Sequence, residues 1–307
     1  MIKSISFKDN DTGWELEKIN LSNLNLLIGS TGVGKTKILN TIFKMNDVGK
    51  KYGIYDKPNL DFEVMFNTNE KDYSLGYNSK KEYLWGNNDN SESLFNCAIL
   101  HFINMFYYNK STIIYPNFIN SSRMINDDNV LMFPLFLRSE IMNYMHYKYI
   151  SVIDFEFIKL FFIDIFSWVE DVKINNCKIL IKEKNIKNWI PLCEMSSNMI
   201  TMFKLIALIE TANKNEIILI DELGNNLDNE CLYVIQELIN SRIDVQFIIT
   251  TQVPWIVNNI PMEYWKVVTR KGNTTIVKDA VDYNLEKSKY QAYKQLINLE
   301  EYGNGVQ

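Results

Sequence analysis

Hydrophobic and polar positions alternate in two regimes along the chain, and the switch between them outlines the predicted elements. Short apolar stretches run from Ile2 to Phe7 and through "LNLLIG" (24–29), which predicts a buried strand ending in glycine. The spacing of Ile38, Ile42 and Met45 in "KTKILNTIFKM" predicts a helix straight after it. "DFEVMFN" places Phe62, Val64 and Phe66 on one side and "DYSLGYN" does the same with Tyr73, Leu75 and Tyr77, so both are predicted to form an antiparallel meander. From about 92 to 172 the chain is rich in Phe, Tyr, Ile and Met at mostly helical spacing and is expected to be an all-helical insertion. "KILIKEKNIKNWIPL" (178–192) returns to strand-like alternation.

After Met195 the pattern runs helix ("MITMFKLIALIETA"), strand (216–221), helix ("NECLYVIQELIN"), strand ("VQFIITT"). Such alternation implies a mostly parallel sheet with helices on its faces. "YWKVVTRKGNTTIVKDA" is expected to close the sheet as a hairpin turning at Lys271 to Asn273, and a terminal helix to cover roughly 284–300. The expected fold class is α/β. It comprises a mostly parallel central sheet, an antiparallel β-subdomain and the 92–172 insertion, all within a single domain over 1–307.

Composition narrows the classes. Apolar residues make up 47% and charged residues 22%, as in a folded globular protein. Cys97, Cys177, Cys193 and Cys231 are scattered singly, which points to a reducing, cytoplasmic setting and away from disulfides or zinc. The start, "MIKSISFKDNDTGWELEK", shows no apolar core of a signal peptide. The greasiest stretch, 149–169, carries Asp154, Glu156, Lys159 and Asp164, so it reads as an amphipathic core helix and no membrane span is expected. Net charge is −5 and only Arg123, Arg138, Arg242 and Arg270 supply guanidinium groups, which argues against a broad phosphate-tracking surface.

Two motifs carry chemistry. "GSTGVGKT" (29–36) fits G-x-x-x-x-G-K-[ST] between a predicted strand and a predicted helix. In such a loop the backbone of Gly29, Ser30, Thr31, Gly32, Val33 and Gly34 turns its N–H groups inward, and the helix adds its N-terminal partial charge. Lys35 would reach the β- and γ-phosphates of ATP and Thr36 would hold Mg²⁺ through its hydroxyl. The second motif is "IILIDELGNNLD" (217–228). Its apolar run predicts a central strand with Asp221 at the carboxyl end, where ligands of parallel sheets bind, as a second metal ligand. Glu222 is then the candidate general base for the attacking water.

With both motifs in view, the chain resembles the ABC-type P-loop ATPases, in particular the SMC/RecF/OLD-like class, over about 1–85 and 172–280. "LNLLIGSTGVGKTKILNTI" looks like the family's opening, "IILIDELGNNLD" like its Walker B strand, catalytic glutamate and D-loop, and "PLCEMSSNMITMFKLIALI" occupies the place of its signature motif. The resemblance implies an ATPase head that forms a homodimer around sandwiched ATP, with higher oligomers open. In that arrangement Ser196, Ser197 and Asn198 of one subunit cap the other's ATP, and Asn225 to Asp228 reach across the interface. Three positions depart from the family. Ser197 and Asn198 replace the usual glycines, and Gln252 in "TTQ" stands where a switch histidine is expected. No glutamine precedes Gln236 to serve as a Q-loop, though Arg123 could fill part of that region or form a structural salt bridge. Gln252 can orient water or phosphate but cannot carry a proton, so slow turnover is expected.

The insertion lacks sustained heptads for a long coiled arm, and the segment after 280 is too short for a nuclease domain. The expected role is therefore an ATPase subunit controlling a separate effector, such as a nuclease, in anti-phage defence or DNA surveillance. The alternatives are a RecF-like repair ATPase binding duplex DNA, and a slow nucleotide-gated scaffold. A transporter subunit fits less well, since those heads usually keep an intact signature and the switch histidine.

Overall fold

The computed structural model describes residues 1–51, 59–68, 71–80, 83–86, 105–109, 112–114, 130–135, 146–175, 178–212, 214–283, 285 and 288–298. In chain order the elements begin with β1 (Ile2–Asp9), β2 (Glu15–Asn20), β3 (Leu24–Ile28), α1 (Lys35–Lys51), β4 (Leu60–Thr68), β5 (Lys71–Asn78) and β6 (Tyr83–Gly86). Then follow β7 (Met105–Asn109), β8 (Thr112–Ile114), β9 (Val130–Leu135), β10 (His146–Ser151), α2 (Val152–Ile165), β11 (Val169–Asn175), β12 (Lys178–Glu183), β13 (Trp189–Pro191) and α3 (Ser197–Glu210). The chain continues with β14 (Ile217–Ile220), α4 (Asn229–Ser241), β15 (Gln246–Thr250), α5 (Pro254–Asn259), β16 (Trp265–Lys271), β17 (Thr274–Asp279) and α6 (Lys289–Asn298). It divides into two compact units: Met1–Tyr107 with Asn215–Leu223 and Asp244–Gln307, and Tyr108–Lys214 with Gly224–Ile243.

The first unit is mixed α/β around a large mixed sheet. Its strands that lie wholly within the unit run in the order β6-β5-β4-β1-β2-β17-β16-β3-β15-β14. β14, β15, β3 and β16 are mutually parallel, whereas β2, β1, β4, β5 and β6 pair antiparallel, and β4 and β5 among them are the pair expected as a meander. Side-chain period explains the split. Ile217 to Ile220 are at most 4% exposed, so both faces of β14 are covered, as a parallel central strand requires. Each such isoleucine contributes about 1.5–3 kcal/mol by burial. β4 instead alternates, burying Phe62, Val64 and Phe66 while Glu63 faces solvent.

Register sets the site. Ile220 pairs with Ile249, Thr250 with Leu27, and Val267 with Ile28, so Asp221, Gly29 and Thr251 leave the sheet along one edge. Two buried amides hold this register. Asn25 donates to Phe247 O at 3.1 Å and to Ser22 O at 2.6 Å. Gln246, 1% exposed, accepts from Ile2 N at 2.7 Å and donates to Ile2 O at 2.7 Å and Ser22 O at 2.8 Å. It thereby joins the starts of three strands in one buried amide.

In the second unit, α2 packs on α3 through Phe162, whose ring meets Phe166 at 4.8 Å and Phe203 edge-on at 5.1 Å. Phe155 and Ile158 extend this buried face, while Lys159 pairs with Asp171 at 2.6 Å. β11, β12 and β13 form a small antiparallel sheet. The stretch 92–172, expected to be all helical, is corrected here. Its described residues include β7, β8, β9 and β10, and helix spans only Val152–Ile165. Aromatic and β-branched residues suit strands, and apolar runs as short as "MFYYN" or "HYKYIS" fit either period. Among the described residues no helix is long and apolar enough to cross a membrane.

Candidate nucleotide site

The loop between β3 and α1 bends where its glycines permit. Gly32 and Gly34 adopt φ of +86° and +109°, a region open to glycine at little cost. Gly29 has a different reason to lack a side chain, since a Cβ there would meet Val268 O at 2.4 Å. Lys35 begins α1, is 8% exposed, and donates from Nζ to Gly29 O at 2.6 Å and Ser30 O at 2.8 Å. Burial pushes its ammonium below the ordinary lysine value, and the negative charges of Asp221 and Glu222 oppose that shift.

Thr36 Oγ1 donates to Asp221 Oδ1 at 3.1 Å, which brings the two expected metal ligands together from 185 residues apart. Asp221 is 4% exposed and accepts a second hydrogen bond from Thr250 Oγ1 at 2.6 Å. The turn after it is strained: Glu222, Gly224 and Asn226 have φ of +55°, +99° and +63°. For a glutamate this is costly, and such outliers concentrate where geometry serves function.

Part of this set lines one cleft of about 480 Å³, within the range of small-ligand sites. Of the residues singled out in the sequence, Thr31, Gly32, Gly34, Lys35, Thr36, Glu222 and Gln252 line it, and Gly29, Ser30, Val33 and Asp221 do not. Trp14, Lys37, Asn40, Thr250 and Arg270 line it too, and sequence reasoning did not single them out for the site. Trp14 donates from Nε1 to Thr275 Oγ1 at 3.0 Å, Thr275 Oγ1 in turn donates to Val33 O at 3.3 Å, and Lys37 Nζ sits 4.4 Å from the Trp14 ring centroid. Nothing local to Trp14 or Arg270 marks them, because they reach the cleft only through the pairing of β17 with β2 and of β16 with β3. Thr250 carried a weak signal, as the last residue of an apolar strand two before Gln252.

The residues present fit a nucleotide triphosphate with Mg²⁺. Ser30 Oγ is buried in the loop without a hydrogen-bond partner, a polar group left for a ligand. Thr36 and Asp221 supply two oxygen donors, which suits a cation that takes most of its shell from water and phosphate.

The remaining predicted residues lie on the second unit. Ser196 is the N-cap of α3, its Oγ accepting from Met199 N at 3.3 Å, and Ser197 opens the helix. Asp228 is the N-cap of α4, accepting from Cys231 N at 2.9 Å. Asn198 Nδ2 donates to Asp228 Oδ2 at 2.7 Å, so the start of one helix is tied to the cap of the next, and Asn198 Oδ1 is buried without a partner. The Cys231 N–H holds the Asp228 carboxyl below the usual aspartate range, while burial and Asp228 push the Cys231 thiol up to about 12. Arg123 lies outside the described residues.

No protein-family model matches the chain, and no curated protein matches it. Among solved structures, one described as a metal-chelate type ABC transporter in an inward-facing conformation is similar at 11% identity and a TM-score of 0.40. The match covers 95% of this chain and 89% of that one.

Proposed function

We propose that the protein binds and hydrolyses ATP as an ABC-type ATPase subunit, dimerises around the nucleotide, and controls a separate effector, a nuclease, in anti-phage defence or DNA surveillance. One observation carries the ATPase reading. Lys35, Thr36 and Glu222 line a single cleft, and Asp221 is hydrogen-bonded to Thr36 at its edge. In this reading the loop N–H groups and Lys35 bind the phosphates, and Thr36 and Asp221 hold Mg²⁺. The metal, when bound, offsets charge on the β- and γ-phosphate oxygens. Glu222 accepts a proton from the water that attacks the γ-phosphorus, and ADP leaves. Gln252 orients that water or the γ-phosphate. Its amide takes no proton, which favours slow, gated turnover within the same reading.

The effector role rests on the resemblance alone, and the dimer on the resemblance together with two local facts. Ser196 and Ser197 are exposed at the start of α3, and Asn198 ties that start to the Asp228 cap. Both would face a second subunit's phosphates. Three measurements test the reading: fluorescent-ATP binding, phosphate release, and sedimentation of wild type, Lys35→Ala and Glu222→Gln. Lys35→Ala is expected to weaken binding about 10- to 100-fold, the range for one charged hydrogen bond. Glu222→Gln is expected to bind ATP, stop releasing phosphate and accumulate as a dimer. Wild type that binds no ATP would refute the ATPase reading. A Glu222→Gln protein that stays monomeric with ATP would refute the dimer. Purification alone, with full activity and no co-purifying neighbouring gene product, would refute the effector role.

A further inference from the structure

A buried threonine pair at the end of β15 clasps the turn that carries the two acids. Thr250 and Thr251 are 1% and 2% exposed. The Thr250 hydroxyl donates to Asp221 Oδ1 at 2.6 Å and accepts from Glu222 N at 2.7 Å. The Thr250 carbonyl accepts from Leu223 N at 2.8 Å. Thr251 Oγ1 donates to Leu223 O at 2.7 Å and accepts from Val253 N at 3.1 Å. Residues 221–223 are therefore bound to 250–251 by four hydrogen bonds, and a fifth secures the chain on the far side of Gln252.

A hydroxyl has one proton to give, and Thr250 gives it to Asp221 while its lone pair receives the Glu222 amide. One atom thus fixes the direction of the Asp221 carboxylate and the backbone of Glu222. That backbone sits at φ +55°, a conformation a glutamate keeps only when its surroundings impose it. Thr36 donates to the same Asp221 oxygen at 3.1 Å, so the clasp also orients the carboxylate toward the loop.

We infer that Thr250 is a positioning residue for phosphate release: its hydroxyl sets Asp221 and Glu222 relative to each other and, with Thr251, ties both to Gln252. This rests on the ATPase reading above. A displacement of Gln252 is transmitted to Glu222 through two short hydrogen bonds and not through a flexible loop. Thr250 acts through Asp221 and Glu222, the residues its hydroxyl holds.

The test compares Thr250→Val, which keeps the shape and removes the hydroxyl, with Thr250→Ser, which keeps the hydroxyl. Misplacing reacting groups by about 1 Å costs on the order of 100-fold, so Thr250→Val is expected to lower kcat by about 10- to 100-fold. KM and fluorescent-ATP affinity should stay within about threefold, and the half-saturating Mn²⁺ concentration should rise several-fold. Thr250→Ser is expected within about threefold of wild type in every parameter. A Thr250→Val protein whose kcat is within threefold of wild type overturns the inference, as does a serine variant impaired as much as the valine one. If wild type releases no phosphate, the ATPase reading fails instead. The clasp is then judged by amide exchange at Glu222 in nucleotide-free protein: faster exchange in Thr250→Val than in Thr250→Ser upholds it, and equal exchange overturns it.

Discussion

Replacing Glu222 by glycine should yield a more stable protein than replacing it by alanine, with hydrolysis lost in both. Glu222 has φ +55°, where an L side chain crowds the following carbonyl at a cost of about 1–2 kcal/mol. Glycine escapes that cost but loses about 0.5–1 kcal/mol more conformational freedom on folding than alanine does. The difference leaves Glu222→Gly ahead by about 0.5–1 kcal/mol. In a helix interior the same pair would differ by about 1 kcal/mol in the opposite direction. Both variants remove the carboxylate, so its electrostatic and hydrogen-bonding contributions cancel in the comparison. For a chain of 307 residues about 1 kcal/mol moves Tm by roughly 1.5 °C, so glycine should melt about 1–2 °C above alanine. The assay is differential scanning calorimetry on nucleotide-free protein in EDTA, following the transition that the two variants shift. Fluorescent-ATP binding should persist in both, and phosphate release should vanish in both. A glycine variant that melts with or below the alanine variant would show that the turn imposes no strain at Glu222, and the reasoning would fail.

Two further outcomes concern stability. Gln246→Met removes three hydrogen bonds to the backbone, at 2.7 and 2.7 Å to Ile2 and 2.8 Å to Ser22 O, which keeps its bond from Asn25. At about 1 kcal/mol per hydrogen bond it should cost about 3 kcal/mol in urea unfolding, and a loss under about 1 kcal/mol would contradict the assigned role. Asp228→Ala removes the α4 cap and should cost about 1 kcal/mol at pH 7. The Asp228 carboxyl is held below its ordinary value when folded, so its contribution is complete above the unfolded value and is lost as pH falls through the folded one. The gap between wild type and Asp228→Ala should therefore narrow below about pH 4; a gap that is constant from pH 7 to pH 3 would contradict this.

Local signals were readable and long-range ones were not. "GSTGVGKT" and "IILID" announce themselves because a strand, a turn and a helix N-terminus each have their own residue chemistry within a dozen positions. The hairpin at Lys271 to Asn273 was legible for the same reason, and β16 and β17 meet there. Trp14 and Arg270 were invisible, because each enters the cleft through pairings between strands far apart in sequence. Thr250 was half legible. Its place at a strand end was plain, but its hydrogen bonds depend on Thr250 pairing with Leu27 and Ile249 with Ile220. The strands within 92–172 were misread because short aromatic runs carry no decisive period, and nothing in "YYN" or "HYKYIS" separates a strand from one turn of helix.

The first glycine of "GSTGVGKT" bears on how related sequences would be read. A methyl group at Gly29 would press into the Val268 carbonyl at 2.4 Å, against backbone that cannot step aside. That restriction belongs to the sheet and holds whether or not a nucleotide ever arrives. A related chain that bound no nucleotide would still be held to glycine at position 29 by selection for a folded protein, while Lys35 and Thr36 would be free to drift. Persistence of the glycine would then testify to ancestry, and only the lysine and threonine to a living enzyme.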